Sequence, residues 1–409
     1  MPQSVLSSLI LGYRPLWNRQ RKLAGIQLYV HNEVSPSIDA AHLLRTVAQL
    51  WSASSPPLVL SPRSHDLLHD LLAHAPANAP LIAVPGAWLQ HDPSLVARVQ
   101  TAKQRGLRLV WQGGVREGLP PDLARCFTLS LLSLNPQESR LALQADIPVQ
   151  AGTPPPPPSP VRAGQIYENI ASAALMAHCL DKQQALALAG WPTDDLLYQL
   201  RHKPLLASHE VIARLLKAIE ADQSLETFEE ILSEDPLLAY RFLTYTNSAA
   251  LGLSSGVDSL RKGLVMMGYG SMQRWLAAQL PHASTNVNLH PVRESMVMRA
   301  RLMRLLLDAG IESELRREIY LCGLFSQLDA LMHEPLETIL QRLPLSERIA
   351  EATVKQEGPY APPLQMAAAL ETGDANLVRE LCETHEMDLE SVNRALLRML
   401  SDLEVERRH

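Results

Sequence analysis

The sequence predicts two fold classes in one chain, an α/β domain over residues 1–200 and an all-α helical bundle over residues 201–409. Three observations predict this. Short apolar runs alternate with amphipathic stretches as far as Leu134, the pattern of a parallel sheet with helices outside. From Lys203 onward the apolar positions recur at helical spacing. The stretch Asp235–Gly268 reads as a helix, a shaped turn and a second helix.

Residues 10–31 read as a hairpin, with the polar turn Asn18–Lys22 between two apolar runs. Helical spacing follows at 40–51, 64–74 and 94–105, and strands are expected at 58–60, 81–84, 107–111 and 126–134. Residues 152–160, Gly-Thr-Pro-Pro-Pro-Pro-Pro-Ser-Pro, form an extended, stiff run without internal hydrogen bonds. It is expected as a surface-loop insertion, because residues 166–188 return to helical spacing.

In the second half, Ile212, Leu215, Leu216 and Ile219 form one apolar stripe, and Leu225, Phe228, Ile231 and Leu232 form the next. Asp235 is placed to cap a helix that starts at Pro236, where the missing N–H costs nothing. Leu238, Phe242 and Tyr245 give that helix an apolar face. Asn247, Ser248 and Gly252 then break the pattern, since Asn and Ser bond to nearby backbone and Gly permits a left-handed turn. Ser259 is placed to cap the next helix, and Gly268 to stop it. The amide of Asn247 is expected to be buried and bonded to turn backbone, fixing how the two helices meet. Further helices are expected at 296–307, 315–332, 335–343, 346–357, 363–371, 374–385 and 389–403.

These residues carry two resemblances. Asp235-Pro236-Leu-Leu-Ala with Phe242-Leu243, Asn247-Ser248, Gly252, Ser259-Leu260 and Leu264 to Gly268 resemble the HDOD domain, an all-helical bacterial signalling module related to the HD hydrolases. Arg14-Pro15-Leu16, followed by Gly25-Ile26-Gln27-Leu28, resembles the opening of EAL domains, cyclic di-GMP phosphodiesterases built on a β/α barrel. Against the EAL pattern, Gln27 stands where the family has a metal-binding glutamate. Trp111 and Gln112 stand where it has paired aspartates, and the acidic residue near Val84-Pro85 is missing. A neutral amide is a poor Mg²⁺ ligand. Ser326 and Gln327 occupy the place of the HD hydrolase metal pair. The resemblances therefore imply a shortened, incomplete EAL-like barrel and an HDOD bundle, both without catalytic residues, metal or cofactor.

Composition narrows the classes. With 46% hydrophobic and 20% charged residues the chain is of ordinary globular type, and it has no uninterrupted apolar run long enough for a membrane span. The N-terminus lacks a basic start and a small-residue cleavage pattern, so no signal peptide is expected. Four scattered cysteines without a C-x-x-C pair suit a reducing cytoplasm. Net charge is +2 over residues 1–200 and −8 over residues 201–409, which disfavours nucleic acid as a partner.

The remaining clusters read as structural. His65, His69 and His74, with Asp66 and Asp70, share one helix at zincin-like spacing but without the glutamate, and are expected as surface residues. Met266, Met267, Met272, Met296, Met298 and Met303 are expected mainly as core, with an adaptable partner groove as the alternative. Lys103, Arg105 and Arg108 are expected as a solvated face. No nucleophile elbow is present.

The expected function is a non-catalytic bacterial signalling protein that binds protein partners or scaffolds them, in cyclic di-GMP or related regulation. Asp235, Pro236, Asn247, Ser248, Gly252, Ser259 and Gly268 are its expected interaction motif. The alternatives are an active cyclic di-GMP phosphodiesterase and a receptor that binds the nucleotide without cleaving it, using residues such as Arg14. The sequence leaves open whether the chain forms a homo-oligomer.

Overall fold

The computed structural model describes residues 5–32, 39–119, 121–147, 156–248, 256–307 and 312–404. In chain order the elements are β1 (Leu9–Trp17), β2 (Leu23–Asn32), α1 (Ala40–Leu50), β3 (Leu58–Pro62), α2 (His65–His74), β4 (Leu81–Pro85), α3 (Gly86–His91) and α4 (Pro93–Gln104). They continue as β5 (Leu109–Gly114), α5 (Pro121–Ala124), β6 (Phe127–Ser133), α6 (Pro136–Gln144), β7 (Ile166–Glu168), α7 (Ala173–Ala177), β8 (Ala187–Ala189) and α8 (Thr193–Leu200). The helical part comprises α9 (His209–Glu220), α10 (Leu225–Leu232), α11 (Pro236–Thr246), α12 (Leu260–Gln279), α13 (His290–Leu306), α14 (Ser313–Phe325), α15 (Leu328–Met332), α16 (Leu336–Leu340) and α17 (Glu347–Ala350). The last three helices are α18 (Ala361–Thr372), α19 (Ala375–Thr384) and α20 (Leu389–Ser401).

By contact the chain divides into two units, Met1–Asp195 with Ala369–His409, and Leu196–Ala368. The sequence expectation placed everything after residue 200 in the helical half. The structure instead returns α19 and α20 to the first unit, where α20 packs on β1, on the turn at 5–8 and on α1.

The first unit is a closed eight-stranded barrel. β1 and β2 form the expected antiparallel hairpin, with Arg14 opposite Gln27, and β2 to β8 run parallel. The barrel closes where Leu16 of β1 pairs with Ala189 of β8. The expectation of missing strands is therefore corrected. Only three residues make β7 and three make β8, too few for a two-residue alternation to register against the helical spacing read across 166–188. That segment contains two strands around the short helix α7, not one continuous helix.

Caps explain the helix starts around the barrel. Ser64 accepts from the Leu67 N–H at α2. Asp92 accepts from Ser94 and Leu95 at α4, with Pro93 in the first turn. Asn135 and Glu138 close a capping box at α6. Arg105, expected on a solvated face, donates to the carbonyls of Leu72 and Ala73 and so satisfies the C-terminal end of α2. Leu16, Val59, Ala83, Val110, Leu131, Ile166, Ala187 and Ala189 form one buried cluster that fills the barrel interior.

The second unit is all helical. Phe228, Leu238, Phe242, Leu276, Met296, Met303 and Phe325 are buried in its core, and Phe242 meets Trp275 edge-on at 5.7 Å. Most of the methionine group is core, whereas Met266 is exposed. The chain expected as one helix over 315–332 is two, α14 and α15.

Candidate functional site

Two places in the fold concentrate the residues singled out by sequence. The first is the barrel mouth, at the C-terminal ends of the parallel strands. Side chains along a strand alternate faces, so residues two positions beyond the interior cluster point the same way. Ser61, Pro85, Gln112, Ser133 and Glu168 hold those positions on β3 to β7. Gln27 is fully buried on the hairpin strand β2. Its Nε2 donates to Ser61 Oγ at 3.1 Å, and its Oε1 accepts from the Tyr29 hydroxyl at 3.2 Å. Gln112 Nε2 donates to both carboxylate oxygens of Glu168, at 3.2 and 3.3 Å. Arg14 donates to Asn169 Oδ1 at 3.2 Å, and the guanidinium of Arg63 stacks 4.3 Å from the Tyr29 ring centre.

The same alternation separates Trp111 from Gln112. Trp111 is buried against Gly86 at the start of α3, on the outside of the sheet, while Gln112 turns inward. Glu168 is the acidic side chain placed at the strand ends among these positions, and sequence reasoning missed it. It lies in a three-residue strand that carried no strand signal.

One side of the mouth is covered by the turn between α18 and α19. A Cβ on Gly12 would stand 2.6 Å from the Gly373 Cα, and one on Gly373 would stand 2.6 Å from the Tyr29 ring. Gly373 is also left-handed, with φ +71°. Burial raises the Tyr29 hydroxyl above its ordinary range and lowers the neighbouring His31. Both groups are therefore neutral near neutral pH.

The second place is the junction of α11 and α12. Asp235 is fully buried and caps α11 by accepting from the Leu238 N–H at 3.0 Å, with Pro236 in the first turn. Its other oxygen accepts from the Ser208 N–H at 2.6 Å and lies 3.4 Å from Arg293 Nε. Arg293 in turn donates to the Leu206 carbonyl at 2.6 Å. Asn247 stands at the end of α11. Its Nδ2 donates to the carbonyls of Leu243 and Val257, both at 2.8 Å, and its Oδ1 accepts from the Val257 N–H at 2.7 Å. The side chain is half-buried and joins the end of α11 to the chain entering α12.

Ser248 donates to the Tyr245 carbonyl, and Ser259 caps α12. Gly252 lies outside the described residues. Gly268 has φ +67° and ψ +160°, so it breaks the run 260–279 into two helical pieces instead of ending it. Around this break Val265, Met266 and Tyr269 are exposed.

The junction carries the family's signature, and a comparison with protein families decides it. The profile of the HDOD domain matches residues 205–344. This segment is an HDOD domain. Within it Ser326 donates to the Gly323 carbonyl, and Gln327 opens α15. Among the described residues, the cluster of potential metal ligands lies outside the HDOD domain, at His65, His69 and Asp92. His74 bonds to the Asp70 carbonyl instead.

Over 176 residues the chain is 26% identical to "Uncharacterized protein YuxH" of Bacillus subtilis, covering 41% of this chain and 42% of that protein. Over 169 residues it is 25% identical to "Cyclic di-GMP phosphodiesterase CdgJ" of Vibrio cholerae, covering 41% and 39%. The chain thus matches about two fifths of the length of these curated relatives. Among solved structures, the MmoQ response regulator of Methylococcus capsulatus aligns with a TM-score of 0.37 at 15% identity, covering 47% of this chain and 97% of that one. Klebsiella pneumoniae BlrP1 with manganese and cyclic di-GMP aligns with a TM-score of 0.30 at 12% identity, covering 47% and 56%. The fold assignment rests on the strand topology, not on these scores.

A third arrangement has the order of a hydrolase relay. Ser159 Oγ lies 2.8 Å from His178 Nε2, and His178 Nδ1 lies 2.9 Å from Asp146 Oδ1. His178 is fully buried, and Ser159 Oγ already accepts from the Val161 N–H. The relay tethers the end of the proline-rich loop, of which residues 156–160 are described, to Asp146 just after α6 and to the π-helical turn His178–Lys182 that follows α7.

Proposed function

We propose that this protein is a non-catalytic signalling protein whose HDOD domain docks a protein partner, within cyclic di-GMP regulation. The observation that supports it most is the state of the barrel mouth. Gln27 occupies the EAL glutamate's place, and both ends of its amide are already bonded, to Ser61 and Tyr29. The carboxylate of Glu168 is held by a neutral amide. Among the described residues at these strand ends Glu168 supplies one carboxylate, which supports a mouth without the clustered carboxylates that metal-assisted cleavage draws on. The docking side of the reading is supported by Val265, Met266 and Tyr269, exposed around the Gly268 break.

A second reading is favoured by a specific observation. Arg14 and Arg63 both lie near the Tyr29 ring at the mouth, at 5.7 and 4.3 Å from its centre. Two cations beside an aromatic face suit a phosphate and a base, so a nucleotide held without cleavage is the alternative.

The docking reading is tested by capture of partners on immobilised full-length protein, followed by mass spectrometry. Val265→Asp with Met266→Asp should abolish capture and leave the melting temperature nearly unchanged, since surface changes cost within about 0.5 kcal/mol. Asn247→Ala removes the side-chain partner of the Val257 N–H and carbonyl, while the Leu243 carbonyl keeps the Asn247 N–H and the Thr246 hydroxyl. At a cost of about 1–3 kcal/mol it should weaken capture by changing how α11 and α12 meet. Capture that survives both variants would remove the HDOD domain as the docking surface.

A further inference from the structure

The geometry points to a divalent transition-metal site at the rim of the barrel, formed by His65, His69 and Asp92. His65 opens α2 directly after β3, and Asp92 follows α3, which begins directly after β4. Both therefore belong to the loops on the mouth face. His65 and His69 lie one turn apart on α2, so their rings project from one face. Spacing in the sequence gives this pair and no third ligand. The fold supplies it by bringing the α3–α4 corner against α2.

The division of labour on Asp92 supports the assignment. Its Oδ1 is used locally, accepting from Ser94 N–H, Ser94 Oγ–H and Leu95 N–H at 2.9, 2.7 and 3.1 Å. Its Oδ2 faces the imidazoles, 2.9 Å from His69 Nε2 and 4.0 Å from His65 Nδ1. The three candidate ligand atoms lie within 4.8 Å of one another. Tetrahedral zinc, with bonds of about 2.0–2.2 Å to nitrogen and oxygen, needs its ligand atoms roughly 3.3 Å apart. The exposed His65 ring must swing inward, and the His69–Asp92 pair must open slightly from 2.9 Å, to meet that.

The donor set selects the ion. Two imidazoles and one carboxylate suit Zn²⁺, Ni²⁺ or Cu²⁺, while Mg²⁺ and Ca²⁺ prefer oxygen ligands throughout. The N-terminal end of α2 opposes a cation at His65. The Asp92 carboxylate offsets this. Three protein ligands leave a fourth position open to water. A bound ion would tie the loop after β3 to the loop after β4.

The test titrates zinc chloride into the full-length protein by calorimetry, with the fluorescence of Trp88 as a second readout. The Trp88 ring lies 4.3 Å from that of His65, so movement of His65 changes its surroundings. One zinc ion per chain should bind, and magnesium chloride should give no saturable signal. His65→Gln, His69→Gln and Asp92→Asn should each weaken zinc binding at least about tenfold. Asp92→Asn retains the helix cap, because asparagine caps as well as aspartate. Its loss of binding therefore separates ligation from folding. His91→Gln, at an exposed neighbour outside the cluster, should change nothing. Absence of saturable zinc binding, or binding unchanged in His69→Gln, overturns the site.

Discussion

Asp235→Ala should lower the melting temperature of the HDOD unit by roughly 6–20 °C. The carboxylate is fully buried and serves three partners, the Leu238 and Ser208 N–H groups and the Arg293 guanidinium. Arg293 is itself only 5% exposed, so the variant leaves an uncompensated cation in the core. Breaking a buried pair in this way costs about 3–5 kcal/mol, and a unit of this size loses roughly 2–4 °C per kcal/mol. Asp235→Asn separates the parts. Asparagine keeps the cap and removes the charge, so its loss should be smaller than that of alanine and still clear. Thermal unfolding by circular dichroism reads both. A fall below about 2 °C in Asp235→Ala would mean that the Asp235–Arg293 pair contributes little to the domain.

Asn393→Ala should detach the C-terminal helices from the barrel. Asn393 is fully buried on α20, with Nδ2 donating to the carbonyls of Leu6 and Leu9 at 2.8 and 2.7 Å. Its Oδ1 accepts from the Leu11 N–H at 3.2 Å. One side chain thus bonds to three backbone groups, one at Leu6 in the turn before the first strand and two within that strand. Truncation removes the side-chain partner of all three groups on a helix whose Val392, Leu396, Leu397 and Leu400 are buried, at a cost of about 3 kcal/mol or more. Limited proteolysis should then release the segment 375–404 well before the barrel is cut. For the same reason a fragment ending at residue 200 exposes the outer face of β1, and it should melt without cooperativity. A cooperative melt from that fragment would show that α19 and α20 are dispensable to the barrel.

What the sequence made legible follows the range of the forces involved. The hairpin, the strands at 58–60 and 81–84 and the caps Asp235 and Ser259 all depend on residues a few positions apart, and each stands where local chemistry places it. Barrel closure was not legible, because β7 and β8 are shorter than the alternation that would reveal them. Asn393 was invisible for a different reason. It bonds to residues more than 380 positions away, and a single asparagine on an amphipathic helix carries no local mark. Asp92 is alike, since its capping role is local while its approach to His69 arises only when α3 and α4 fold beside α2. The turn at Gly373 reads in sequence as a helix end, and only the fold shows it against Gly12 and Tyr29. At the mouth, Gln27 and Gln112 were legible as departures from the EAL pattern. The partners that occupy their amides were not.

The central claim is that the barrel mouth performs no phosphodiester cleavage, and turnover of cyclic di-GMP measures it most directly. Purified full-length protein, with Mg²⁺ or Mn²⁺ and excess nucleotide, is sampled over hours by chromatography. The cyclic di-GMP peak should stay constant, and no linear dinucleotide should form. Binding without turnover, lost on Arg14→Ala, would select the receptor reading and leave the claim standing. Steady formation of linear product that disappears in Gln27→Ala or Glu168→Gln would contradict it.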